Sequence, residues 1–190
     1  MKNINPFTTT LCLVLLLSAS AIPVAAQGAN AEVIALIDGV EEKTTALAGA
    51  MSDEQWAYRP MEGVRSTSEV FMHLALANNF IPSMLGVMPP EGFPVTMGPE
   101  GPVGMDEYEA TTGRETVMAA MGASFDHVRE ALAGVSADSM DDEMNVFGQE
   151  MTKRGFCIFI ATHLHEHLGQ LIAYARANEV VPPWTAAADG

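Results

Sequence analysis

Between Phe156 and Tyr174 the chain reads Phe-Cys-Ile-Phe-Ile-Ala-Thr-His-Leu-His-Glu-His-Leu-Gly-Gln-Leu-Ile-Ala-Tyr, a helix-forming stretch that carries imidazoles on its apolar side. At about 100° per residue, Phe156, Ile160, His163, His167, Leu171 and Tyr174 fall on one stripe, the one expected to enter a core. Residues four apart on a helix have Cβ atoms about 5–6 Å apart, and zinc–nitrogen bonds are about 2.0–2.1 Å. His163 and His167 are therefore spaced to grip one divalent ion. A third ligand has to come from another element, so whatever fold this helix joins must bring one to it.

The remaining periodicity supplies three further helices. From Asn30, read as a cap, the apolar positions Val33, Ile37, Val40, Leu47 and Met51 predict a helix to about Ala50. Ser52-Asp53-Glu54-Gln55 has the pattern of a short capping box, closed off by Tyr58-Arg59-Pro60 and Gly63. In this segment Trp56, Tyr58 and Arg59 read either as an aromatic plug over one end of a bundle or as a pocket wall with Arg59 as anion holder. A second helix is predicted from Ser66 to about Ile81, stopped by Pro82, with Val70, His73, Leu74, Ala77 and Ile81 inward. His73 is the third imidazole on a core stripe. Glu69, one turn before it, has two readings: a fourth ligand or a partner behind the ligands, or the returning carboxylate of a Ser66-x-x-Glu69 capping box, which is the better fit.

Residues 82–105 hold six prolines among many glycines and predict a long irregular connection, of the kind that crosses a bundle or covers a site. A crossover there lets the helices before and after it run parallel. Thr112-Gly113-Arg114-Glu115 predicts a box opening the third helix, with Val117, Met121, Phe125, Val128 and Leu132 buried, to about Ala133. His127 lies off that stripe and His165 off the His163 and His167 face, so both are expected in solvent. The acidic run 138–143 lacks the ligand spacing of a calcium loop and reads as a solvated connection. The last helix spans about Thr152 to Ala177. No strand pattern stands out. The expectation is an all-α four-helix bundle with a long crossover between helices two and three.

The first 26 residues are a separate matter. Lys2, the apolar run Leu11 to Leu17 and the small-residue site Val24-Ala25-Ala26 read as a secretory signal peptide, 1–26, leaving a single domain over 27–190. The run is short for a bilayer span of about 20 residues, which disfavours an uncleaved anchor. Secreted or periplasmic placement follows, with no membrane association after cleavage. Cys157 is then the sole remaining cysteine and reads as a small buried hydrophobe. A formal charge of −15 argues against nucleic acid or anionic lipid as partner and favours cation enrichment at the surface.

Any one core histidine is most simply satisfied by a hydrogen bond. Three in one core pay desolvation three times, whereas one ion satisfies a nitrogen on each. Other metal motifs fail on spacing. Position 169 is Gly, so His165-Glu166 does not continue to a His-Glu-x-x-His helix, and the paired Glu-x-x-His of di-iron bundles is absent.

Taken in order, Trp56-x-Tyr58-Arg59-Pro60, Gly63-x-Arg65-Ser66-x-x-Glu69-x-x-x-His73-Leu74, His163-x-x-x-His167-x-Gly169-Gln170 and Pro182-Pro183-Trp184 resemble the DinB-like (DinB/YfiT) superfamily across nearly all of the mature chain. The resemblance implies a four-helix bundle with a crossover after helix two. It also implies a divalent ion (zinc, nickel or manganese) on His73, His163 and His167. Glu69, Gln170, Trp56 and Arg59 are the candidates for places behind those ligands or in a pocket wall. Relatives include thiol-dependent transferases and an isomerase, which suit a cytosolic setting better than an exported one. The leading expectation is an exported metal-dependent enzyme, hydrolase or transferase in type, acting on a small molecule, with a homodimer as one option. A non-catalytic periplasmic module binding a metal or small ligand is the alternative, and a bundle without any ion is the plainest one.

Overall fold

The helices are α1 (Ala29–Ala50), the single turn α2 (Asp53–Trp56), α3 (Thr67–Phe80), α4 (Met105–Glu109), α5 (Arg114–Ala133), α6 (Lys153–Ala177) and the single turn α7 (Pro183–Ala186). This is a computed structural model that describes residues 29–186, so the expected signal peptide lies outside the described residues. The four long helices make a bundle in which α1 packs on α5 and α6, and α3 packs on the same two from the other side.

Hydrogen bonds between helix ends show how these helices run. Arg114, opening α5, donates to the Ala48 and Met51 carbonyls at the end of α1. Asn30, near the start of α1, donates to Val135 just past α5. These two are therefore antiparallel. The starts of α3 and α5 share a hollow lined by Ser66, Ser68, Gly113 and Arg114, and Asn78 donates to Ser124 farther along both, so α3 and α5 run parallel. Tyr174, near the end of α6, donates to the Arg65 carbonyl just before α3, which sets α6 antiparallel to α3. A connection from α3 to α5 must travel back along the bundle, and residues 81–113 do so. The four-helix bundle with its long crossover is thus present.

Local sequence explains most boundaries. Ser52 and Ser66 each form a complete capping box, with Gln55 and Glu69 as the returning side chains, and Thr152 accepts from Gly155 at the start of α6. Pro82 lacks the amide that would extend α3, and the chain tightens into a 3-10 turn over Ile81–Leu85. Phe71, Phe125 and Phe156 are fully buried at the centre with Ile37, Leu47, Leu132 and Leu171. Each such side chain contributes about 1.5–3 kcal/mol.

Four expectations are corrected. Asn30 lies inside α1, its amide spent on Val135, and is not the cap. The residue capping α5 is Gly113 at φ 95°, with no side-chain cap bond, because the chain enters that helix through a conformation suited to glycine and leaves Thr112 one position too early. Two small antiparallel hairpins exist, β1 (Thr96–Gly98) with β2 (Gly101–Val103), and β3 (Glu143–Val146) with β4 (Gln149–Thr152). Strands of three or four residues are too short to show alternation, and the second hairpin takes up the end of the acidic run. His127 is half-buried, its Nε2 enclosed without a protein partner, whereas His165 is exposed as expected.

Candidate metal centre

His73 comes from the middle of α3, and His163 and His167 come from successive turns of the antiparallel α6. The three offer ligand atoms that all lie within 4.8 Å of one another. Their ring centroids are 5.5, 4.5 and 4.6 Å apart and the rings are steeply inclined to one another rather than stacked. Two zinc–nitrogen bonds laid end to end reach about 4 Å, close to the separation seen here.

On two of the three rings the nitrogen turned away from this centre is already engaged. His73 Nδ1 donates to Glu109 Oε1 at 2.6 Å, and His167 Nδ1 donates to Gln170 Oε1 at 2.9 Å. In a neutral ring, a proton held on Nδ1 leaves the Nε2 lone pair free to ligate. The Nε2 of His163 is buried and has no protein partner. An orphaned acceptor in such a place costs about 1–3 kcal/mol, and a shared cation would remove that cost. The residues present therefore fit a divalent ion.

A hydrogen-bonded circuit braces the two ligand helices. Arg65 donates through Nε and Nη2 to Glu109 at 2.5 and 3.0 Å, so one carboxylate holds both His73 and the guanidinium. On the other side, Gln170 donates to the Tyr174 hydroxyl, which donates to the Arg65 carbonyl at 3.2 Å. Arg65 thus connects the support of His73 to the support of His167. Burial alone would raise the Glu109 carboxyl, but the His73 and Arg65 bonds outweigh it and hold it below the usual carboxylate range. Burial first, then the neighbouring His167, His73 and Arg65 charges, lowers His163 to about 4, and burial likewise lowers His167.

The other residues singled out from sequence are placed as follows. Glu69 closes the Ser66 capping box and pairs with Arg59 at 2.6 Å, rather than turning to the imidazoles. Arg59 is further held by the Val64 carbonyl. Trp56 stands apart, buried against Phe71 with its indole donating to Ala48 and Arg114 lying 4.3 Å over its ring, which is the plug arrangement. Sequence reasoning missed Glu109 as a site residue and gave Arg65 and Tyr174 no role there. Tyr174 sits seven residues after His167 on the same stripe and was open to recognition. Glu109 carried no signal, because it stands in a short helix of the crossover beside Asp106 and Glu107. A cleft of about 610 Å³ reaches the supports of the triad, with Arg65, Glu109 and Gln170 in its lining but none of the three histidines.

A profile of the DinB superfamily matches residues 36–171, taking in all three histidines. The chain belongs to the DinB superfamily. Solved DinB-like proteins share its fold. One from Bacillus subtilis is 16% identical with TM-score 0.57, covering 79% of this chain and 93% of its own. Another from Bacillus cereus is 19% identical with TM-score 0.59, covering 76% and 89%. A protein from Enterococcus faecalis is 14% identical with TM-score 0.61, covering 76% and 94%. No curated protein matches the sequence. Within the DinB frame, the crossover that distinguishes this bundle from an up-down one is also the segment that delivers Glu109 to His73.

Proposed function

We propose that this DinB-superfamily chain is an exported metal-dependent enzyme, of hydrolase or transferase type, acting on a small molecule at a divalent ion held by His73, His163 and His167. The observation that carries this reading is the buried, unpartnered Nε2 of His163, set among two imidazoles whose other nitrogens are already bonded to Glu109 and Gln170. Of the zinc, nickel or manganese that the resemblance implies, imidazole donors suit zinc and nickel, manganese being better matched to oxygen. When bound, such an ion supplies a Lewis acid that polarises a substrate carbonyl or activates a nucleophile.

The chain's own residues prepare that centre. Glu109 keeps the proton on His73 Nδ1, Gln170 does the same for His167, and Arg65 with Tyr174 keeps the two supports in register. Burial keeps His163 and His167 neutral at pH 7, as ligands must be. The enzyme reading is preferred to a closed storage or sensing module because a cleft of small-molecule size reaches Glu109 and Gln170, the supports of two of the ligands. Export rests on the Met1 to Ala26 leader, and the charge of −15 disfavours nucleic acid and anionic membranes as partners.

Elemental analysis of purified protein is the test. Wild type is expected to carry about one ion per chain, and His73→Ala, His163→Ala and His167→Ala each to lose most of it. Unchanged metal in all three variants ends the proposal. N-terminal sequencing from a fractionated bacterial host checks export, and an intact Met1 on the folded protein counts against it.

A further inference from the structure

Arg59 and Glu69 do not turn to the imidazoles, yet a chain of hydrogen bonds joins them to His167. Glu69 Oε1 pairs with Arg59 at 2.6 Å, and its Oε2 accepts from the backbone amide of Ser66 at 2.7 Å. That amide and the Arg65 carbonyl belong to one planar peptide group, so holding the first sets the direction of the second. The Arg65 carbonyl meets the Tyr174 hydroxyl at 3.2 Å, the hydroxyl meets Gln170 Nε2 at 3.0 Å, and Gln170 Oε1 meets His167 Nδ1 at 2.9 Å.

Donor and acceptor roles along this chain follow from its backbone end. A carbonyl oxygen only accepts, so the single Tyr174 hydroxyl proton goes to Arg65. Toward Gln170 the hydroxyl can then only accept, which calls for the amino end of the side-chain amide and turns Oε1 to the ring. His167 Nδ1 must therefore donate, and its Nε2 lone pair is left free. Turning the amide over would put the His167 proton on Nε2. It would also leave the Tyr174 and Arg65 oxygens facing each other with no hydrogen between them. His73 needs no such relay, because the Glu109 carboxylate beside it only accepts.

We propose that Tyr174 is a positioning residue that fixes the tautomer of His167, passing to it through Gln170 the direction of the peptide that Arg59 and Glu69 hold at the start of α3. This deepens the metal-centre reading and its purpose rests on that reading, whereas the proton positions belong to the chain alone.

Ring-nitrogen chemical shifts of isotopically labelled, chelator-treated protein test it, read at about pH 8, above the ordinary range of imidazole protonation. In wild type the Nδ1–H form is expected to exceed the other at least about tenfold on both His73 and His167, since the reversed amide forfeits a hydrogen bond. Tyr174→Phe keeps the ring that packs edge-on against Tyr58 and removes only the hydroxyl. There the excess on His167 is expected to fall below about threefold while His73 is unchanged, which also reports an intact fold. Adding Gln170→Glu to Tyr174→Phe replaces the reversible amide by a group that only accepts, and is expected to restore the Nδ1–H form of His167. A wild-type His167 protonated on Nε2, an undiminished excess in Tyr174→Phe, a His73 that changes as much as His167, or a double variant without recovery each overturns the relay. Wild type with the expected proton positions that takes up no zinc supports the relay and ends the metal reading.

Discussion

Replacing Glu109 by alanine tests the circuit that supports the triad. Its carboxylate is 9% exposed and accepts from His73 Nδ1 at 2.6 Å and from two nitrogens of Arg65. Alanine leaves the Nδ1–H of His73 without an acceptor, frees the ring to rotate and makes the opposite tautomer as accessible as the ligating one. Loss of such a support behind a metal ligand typically costs about 10–100-fold in affinity, or about 1.4–2.8 kcal/mol. Glu109→Gln keeps an oxygen within reach of Nδ1 but gives up the charge, so a loss below about tenfold is expected. Zinc affinity is read by competition with a chromophoric chelator, and urea melts of the metal-free variants confirm that each is folded. Folded Glu109→Ala that binds zinc within twofold of wild type refutes the argument that Glu109 orients His73.

Two further outcomes are expected. In metal-free protein, His163 titrates at about 4 when folded against about 6.5 when unfolded, so the unfolded chain binds more protons between those values and stability falls as pH drops through that window. Lowered His167 acts in the same direction, and Glu109, also lowered, adds a further loss once pH falls below the ordinary carboxylate range. Allowing for solvent screening, His163 contributes about 1–3 kcal/mol, and urea midpoints that match at pH 7 and pH 4.5 refute this. At the tip of the β3–β4 hairpin, Phe147 and Gly148 both have positive φ, 51° and 83°, and the Phe147 side chain is exposed. Phe147→Asn supplies the residue that two-residue turns of this kind favour and is expected to stabilise by about 1 kcal/mol in thermal melts; a lower melting temperature refutes it.

Much of the bundle was legible because its helices announce themselves locally. Val70, Leu74 and Ala77 follow the helical period on α3, Val117, Met121, Phe125, Val128 and Leu132 follow it on α5, and the Ser52 and Ser66 boxes are complete within four residues. Those are short-range facts, decided by side chains three or four positions apart. The Thr112 box failed because its outcome turned on the backbone conformation of Gly113, which the box pattern does not specify. The hairpins failed because three- and four-residue strands carry no measurable period.

By itself the sequence determined four amphipathic helices, a crossover too long for a simple turn, and imidazoles on two core stripes, since each follows from spacing along one segment. Only the tertiary structure decided that α3 and α6 lie side by side, that Arg65 links the supports of His73 and His167, and that Glu109 reaches His73 from 36 positions along the chain. The physical reason is that a hydrogen bond between distant segments leaves no periodic trace. Its partners are chosen by how helices pack, and packing depends on the whole core at once.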